Sequence, residues 1–169
     1  TNTSGVQTGG DIALGSVFKT FCIEIGETLG NGSHAFSVNT VSVQGGASPF
    51  VPQPLVSQTA FLYTMYRAGS LTSLAGIATF DDTLQSDVNA IQDALWFFQN
   101  QLGAPDVDDN NTVVLSSKAQ AFADAANDAV NNGAYGWAGG IGNVRVLNMG
   151  GPSGGYANGA SQDVLALIP

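Results

Sequence analysis

The stretch Val17-Phe18-Lys19-Thr20-Phe21-Cys22-Ile23-Glu24-Ile25 decides how the sequence is read. It alternates in part. Val17, Lys19, Phe21, Ile23 and Ile25 fall on one face, and Phe18, Thr20, Cys22 and Glu24 on the other. A period of two is the strand signal, and apolar residues on both faces predict burial of much of both. A strand is therefore expected within 12–29. Asn31-Gly32 is a hairpin turn signal. Residues 34–43 alternate again and predict a second strand, followed by a Gly/Pro loop over 44–56.

The period changes in the middle of the sequence. Residues 57–68 read as a helix, with Ala60, Phe61, Tyr63 (or Leu62), Met65 and Tyr66 as its apolar set. Ser86 is the expected N-cap of a helix over 87–102, with Asp87 in the first turn and Gly103 and Pro105 beyond its end. Val88, Ile91, Leu95, Phe98 and Leu102 give its stripe, and Gln92 projects between Leu95 and Trp96. Ser117 and Gln120 suggest a capping box for a helix over 118–131, ended by Gly133. Residues 142–149 and 162–168 read as strands joined through the Gly/Ser/Pro stretch 150–161. Strands, then helices, then strands imply a mainly β fold: an antiparallel β-sandwich or barrel with about three helices inserted. The expected organisation is an extended arm at 1–11 and one β-rich domain at 12–169, with a helical insertion at 57–132.

With 169 residues the protein is long enough for a real core. Hydrophobic residues are 44% and charged residues 10%, which marks a globular rather than a disordered protein. The net charge of -9 repels nucleic acid and anionic membrane surfaces. The single cysteine excludes an intrachain disulfide framework, and with the single histidine, His34, it excludes zinc clusters. No apolar run reaches the roughly 20 residues of a membrane span, and no signal peptide is visible. The sequence opens Thr1-Asn2-Thr3-Ser4-Gly5, without Met, which suggests a processed product. Its acidity and low lysine content fit a secreted protein.

Cys22 and Gln92 stand out together. A buried thiolate beside a Gln amide can expel ammonia and close an internal thioester, an acyl group open to amines or hydroxyls. Glu24, on the strand face of Cys22, could hold the proton. The alternatives are plain: Cys22 as a small buried hydrophobe, Gln92 bonding a strand-edge carbonyl, and Glu24 as a strand-end carboxylate. Lys19 invites an isopeptide, but an edge-strand lysine that blocks aggregation is the simpler reading. Asp106, Asp108, Asp109 and Asn110 could ligate a hard cation such as calcium; an exposed acidic turn explains them as well. Trp137 and Tyr135, in the Gly-bounded loop 133–140, could stack on sugars or cap a core. No cofactor is implied, and an enzyme is the least favoured class.

Four segments together resemble a known group: residues 21–24, 59–71, 90–96, and 144–148 with 162–169. The set resembles secreted PEP-CTERM proteins of Gram-negative bacteria. The resemblance implies export, processing at a C-terminal Pro-Glu-Pro signal linked to an exosortase, and association with extracellular polysaccharide. This sequence ends Ile168-Pro169, where that signal would begin, so a processed mature form is expected. The Cys22 and Gln92 segments also resemble the thioester domains of Gram-positive surface adhesins. That likeness implies Cys22 as nucleophile, Gln92 as acyl donor and Trp96 as a shield against water.

Three functions compete. The first is an extracellular structural protein of a biofilm matrix, a filament subunit in which the N-terminal arm (Thr1, Gly5, Val6, Gly9, Gly10) adds a strand to a neighbour. The second is a monomeric thioester adhesin that captures surface amines or hydroxyls. The third is a carbohydrate-binding matrix protein. The expected partners are further copies of the protein and extracellular polysaccharide, with neither nucleic acid nor a membrane span.

Overall fold

The computed structural model describes residues 10–13, 16–25, 34–42, 53–102, 113–150 and 162–169. The protein divides into two compact units, Thr1–Pro54 with Asn143–Pro169, and Leu55–Gly142.

The first unit holds one antiparallel sheet of order β1-β2-β3, with β1 at Ala35–Asn39, β2 at Val144–Gly150 and β3 at Val164–Leu167. Val38 faces Leu147 across one ladder, and Val146 faces Leu165 across the other. Strand alternation sends Leu147, Val164 and Ala166 to one face, packed by Ile12, Phe18, Val38, Met149 and Ile168. Val144, Val146 and Leu165 are fully buried on the other. β1 is mostly exposed along its length.

The outer side of β3 is covered by the protein's own backbone and side chains. Leu165 N–H donates to Phe21 C=O (3.1 Å), and Ile23 N–H donates to Asp163 C=O (3.2 Å). The Thr20 hydroxyl donates to Leu165 C=O at 2.5 Å. Leu167 N–H donates to Asp11 Oδ2 at 2.7 Å. Sheet edges left unpaired are liabilities, and this one is closed.

The second unit is helical: α1 at Ser57–Arg67, α2 at Gln85–Phe98 and α3 at Ser117–Asn132. Each presents one apolar stripe inward. Phe61, Leu62, Tyr63, Ile91, Leu95 and Phe122 are almost wholly buried, and Ala119, Ala123 and Ala126 keep α3 narrow enough for close packing. Two helices end in the same way. Gly69 N–H donates to Tyr66 C=O, and Ser70 N–H to Met65 C=O, closing α1. Asn100 N–H donates to Phe97 C=O, and Gln101 N–H to Trp96 C=O, closing α2. This 5→2 and 6→1 pairing needs a left-handed residue. Gly69 supplies it at φ 66°, and Asn100 at φ 54°.

The mainly β expectation is corrected. Among the described residues there are three short strands in one open sheet, of 5, 7 and 4 residues, beside helices of 11, 14 and 16. Those residues form no sandwich or barrel. The strand expected within 12–29 is the main source of the error. Gly10–Ile12 forms a 3-10 turn, and of 16–25 only Cys22 makes a bridge, to Val164. The alternation arises because this segment lies along the edge of β3, burying Phe21 and Ile23 while Val17 stays 98% exposed. The backbone then bends at Ile23–Ile25 and sends Glu24 into the core.

The caps differ in detail. Ser116 rather than Ser117 caps α3, its hydroxyl accepting from Ala119 N–H at 3.2 Å. Gln120 reaches forward to Asp124 instead of back. α2 starts at Gln85, and Asp87 rather than Ser86 organises its entrance: its Oδ2 accepts from Asp81 N–H at 2.9 Å.

Candidate functional site

Cys22 belongs to the first unit; Gln92 and Trp96 belong to the second. Each half is built from local rules.

Cys22 is half-buried and held against β3 through its bridge to Val164. Two residues on, Glu24 is fully buried. Its backbone carbonyl accepts from Gln162 Nε2, and its Oε2 accepts from Asp163 N–H at 3.4 Å. Burial first, and the Glu24 charge second, push the Cys22 thiol up to about 11. At neutral pH about one thiol in ten thousand would be ionised, so Cys22 attacks a carbonyl only with a base beside it.

Next to Glu24 lies a polar network that the sequence reading did not single out. Asn148 is fully buried on β2. Its Nδ2 donates to Asp163 Oδ2 (2.7 Å) and to Val41 C=O (3.0 Å), while its Oδ1 accepts from Asn39 Nδ2. Asp163 Oδ1 accepts from Met149 N–H at 2.9 Å. Buried polar groups persist only when satisfied in this way. The signal was present: Asn148 interrupts the apolar run of β2, and Gln162-Asp163 directly precede β3.

On α2, Gln92 and Trp96 are four residues apart and share a face, both half-buried. Among the described residues the Trp96 indole N–H is buried without a hydrogen-bond partner. The neighbouring stripe of Ile91, Ala94 and Leu95 is fully buried and fixes the helix rotation.

The other candidates fall as follows. Asp106, Asp108, Asp109 and Asn110 lie outside the described residues, as do Thr1, Gly5, Val6 and Gly9 of the arm. Gly10 is described. It stands at φ 66°, and a Cβ there would clash with Leu167 C=O. That end of the arm therefore packs against β3 of the same molecule. Trp137 donates its Nε1–H to Ser57 Oγ at 2.9 Å and sets its ring edge-on to Phe61. The Tyr135 hydroxyl accepts from Ala75 N–H at 3.1 Å. Among the described residues no group of three or more His, Cys, Asp or Glu could hold a metal ion. No described helix is long and apolar enough to cross a membrane. No protein family matches the sequence, and neither does any curated protein or solved structure.

Proposed function

We propose that this is an extracellular surface protein whose working element is an internal thioester between Cys22 and Gln92. In forming it, the Cys22 Sγ–Gln92 Cδ bond is made, the Cδ–Nε2 bond breaks, and ammonia leaves carrying the thiol proton. An incoming amine or hydroxyl then bonds to Cδ, the thiol is released, and the target is joined covalently to residue 92. The observation that carries the reading is the fully buried Glu24, two residues from Cys22, whose charge acts on the Cys22 thiol. A thiol this weakly acidic needs an adjacent proton acceptor, and Glu24 is a carboxylate held two residues away. Trp96, one turn beyond Gln92, adds an apolar screen on the same helix face.

The test is labelling with methylamine followed by peptide mapping. The reading requires methylamine on Gln92 in the native protein, none in Cys22→Ala, and slowed thioester formation in Glu24→Gln. Equal labelling in Cys22→Ala, or none in the native protein, sinks it.

A filament subunit is the second reading, and one observation favours it. β1 is an edge strand, mostly exposed, whose only strand partner among the described residues is β2. With β3 closed by residues 20–23 and Asp11, an added strand would join β1. Light scattering on the concentrated native protein distinguishes the readings: a monomer at all concentrations removes the filament.

A further inference from the structure

The second unit contains a pocket of about 380 Å³, within the usual size of a small-ligand site. Tyr66, Leu71, Thr72, Phe80, Asp81 and Asp82 line it. Its aromatic side is fixed by packing. Tyr66 meets Phe80 edge-on at 6.0 Å between centroids, and Phe80 meets Phe122 edge-on at 6.1 Å. Tyr66 also stacks on Tyr63 at 6.5 Å. Phe122 and Tyr63 are buried, so the two pocket rings stand on the core.

The acidic side is fixed by hydrogen bonds. Asp81 N–H donates to Asp87 Oδ2, and Asp87 is in turn paired with Lys118 at 2.6 Å. Asp81 Oδ1 accepts from both the N–H and the hydroxyl of Thr83. The loop is thereby tied to α2, and through Lys118 to α3, and the Asp81 carboxylate is oriented by Thr83. Among the described residues no Lys, Arg or His lines the pocket. The protein as a whole carries a net charge of -9. Anions are therefore repelled, and cations are drawn to the site.

Two aromatic rings and two carboxylates around one cavity are the chemistry that recognises an organic cation. The rings attract it through their quadrupoles, and the carboxylates pair with it. We propose that this pocket binds a small organic ammonium ion, with the cationic head at Asp81 and Asp82 and the alkyl part against Tyr66 and Phe80. The site is independent of the Cys22–Gln92 thioester and stands whether or not that bond exists.

The experiment is a titration of the full-length protein with putrescine, followed by NMR of the backbone amides and aromatic rings. 1,4-Butanediol, glucose and calcium chloride are titrated in parallel. Putrescine should saturate the site with a dissociation constant on the order of a millimolar, shifting Leu71, Thr72, Asp82 and the rings of Tyr66 and Phe80. Butanediol, the uncharged isostere, should not bind. The double variant Asp81→Asn, Asp82→Asn should weaken putrescine by about tenfold. That variant keeps the Asp81 N–H and the Oδ1 acceptor for Thr83, so the fold is preserved. Tyr66→Leu, which keeps apolar bulk but removes the π face, should also weaken it. The proposal is overturned if butanediol or glucose binds as tightly as putrescine. It is overturned equally if calcium alone shifts the carboxylate loop, or if the double variant binds putrescine unchanged.

Discussion

Replacing Asn148 by Ala removes the centre of the polar network behind Glu24. Three contacts go with it: the bond to Asp163 Oδ2, the bond to Val41 C=O, and the one accepted from Asn39. Losing a hydrogen bond to a charged group costs about 1.5–3 kcal/mol. Leaving the half-buried Val41 carbonyl without this donor adds roughly 1 kcal/mol, and the small cavity left beside a fully buried side chain adds about another 1. The sum is about 3.5–5 kcal/mol, a large share of the stability of an ordinary domain. Both tryptophans, Trp96 and Trp137, lie in the helical unit, so their fluorescence does not read this perturbation directly. Hydrogen exchange does. Amides of β2 and β3, such as Val146 and Leu165, should lose protection by about two to four orders of magnitude in Asn148→Ala. Amides of α3 should serve as the internal reference. A double-mutant cycle with Asp163→Asn should give a coupling of about 1–3 kcal/mol, because the two side chains touch. Loss of less than about one order of magnitude in the strand amides, or no coupling to Asp163, would contradict the view that this network fixes β2 against β3.

Further outcomes follow from single contacts. Phe122→Ala empties the centre of the helical unit and should destabilise it by about 3–5 kcal/mol in urea denaturation followed by tryptophan fluorescence. Asn100→Gly should stabilise the same unit by a few tenths to about 1 kcal/mol, since the position is left-handed at φ 54° and closes α2. Lys118 and the Asp81 amide hold the Asp87 carboxyl below its usual range, so their contribution is fully present above that range and lost as the pH falls below it through the lowered folded-state value. Lys118→Met should accordingly flatten the acid limb of a stability-versus-pH curve. As a free thiol, Cys22 should react with iodoacetamide along a curve whose midpoint lies near 11 rather than 9.0. Because the folded thiol ionises later than the unfolded one, the protein with a free Cys22 thiol should lose stability as pH rises from about 9 to about 11.

The helices and the last two strands were legible because their signals are local. The period of α1, α2 and α3 is carried by Phe61, Ile91, Leu95 and Phe122, and each lies where that period puts it. The segment around Cys22 was misread because two different structures write the same pattern. A strand within a sheet and a segment lying along a sheet edge both bury every other residue. What separates them is long-range: Thr20 and Phe21 bond to Leu165, and Asp11 bonds to Leu167. No window of sequence contains both partners. The same holds for Asn148, whose partners are 15 residues ahead at Asp163 and 107 residues behind at Val41. For the candidate site, Cys22, Glu24, Gln92 and Trp96 were visible as residue types set in apolar runs. The buried state of Glu24 was not, since a carboxylate near a strand end is ordinarily solvated. Nothing in the sequence pattern singles out Asp81 and Asp82; only the fold places them around one cavity with the rings of Tyr66 and Phe80.

The most direct measurement is the intact mass of the native protein, denatured gently at acidic pH. A thioester between Cys22 and Gln92 predicts a mass one ammonia below the sequence value. Hydrolysis should then add one water, and methylamine treatment should add one methylamine. A full sequence mass together with a titratable Cys22 thiol would contradict it.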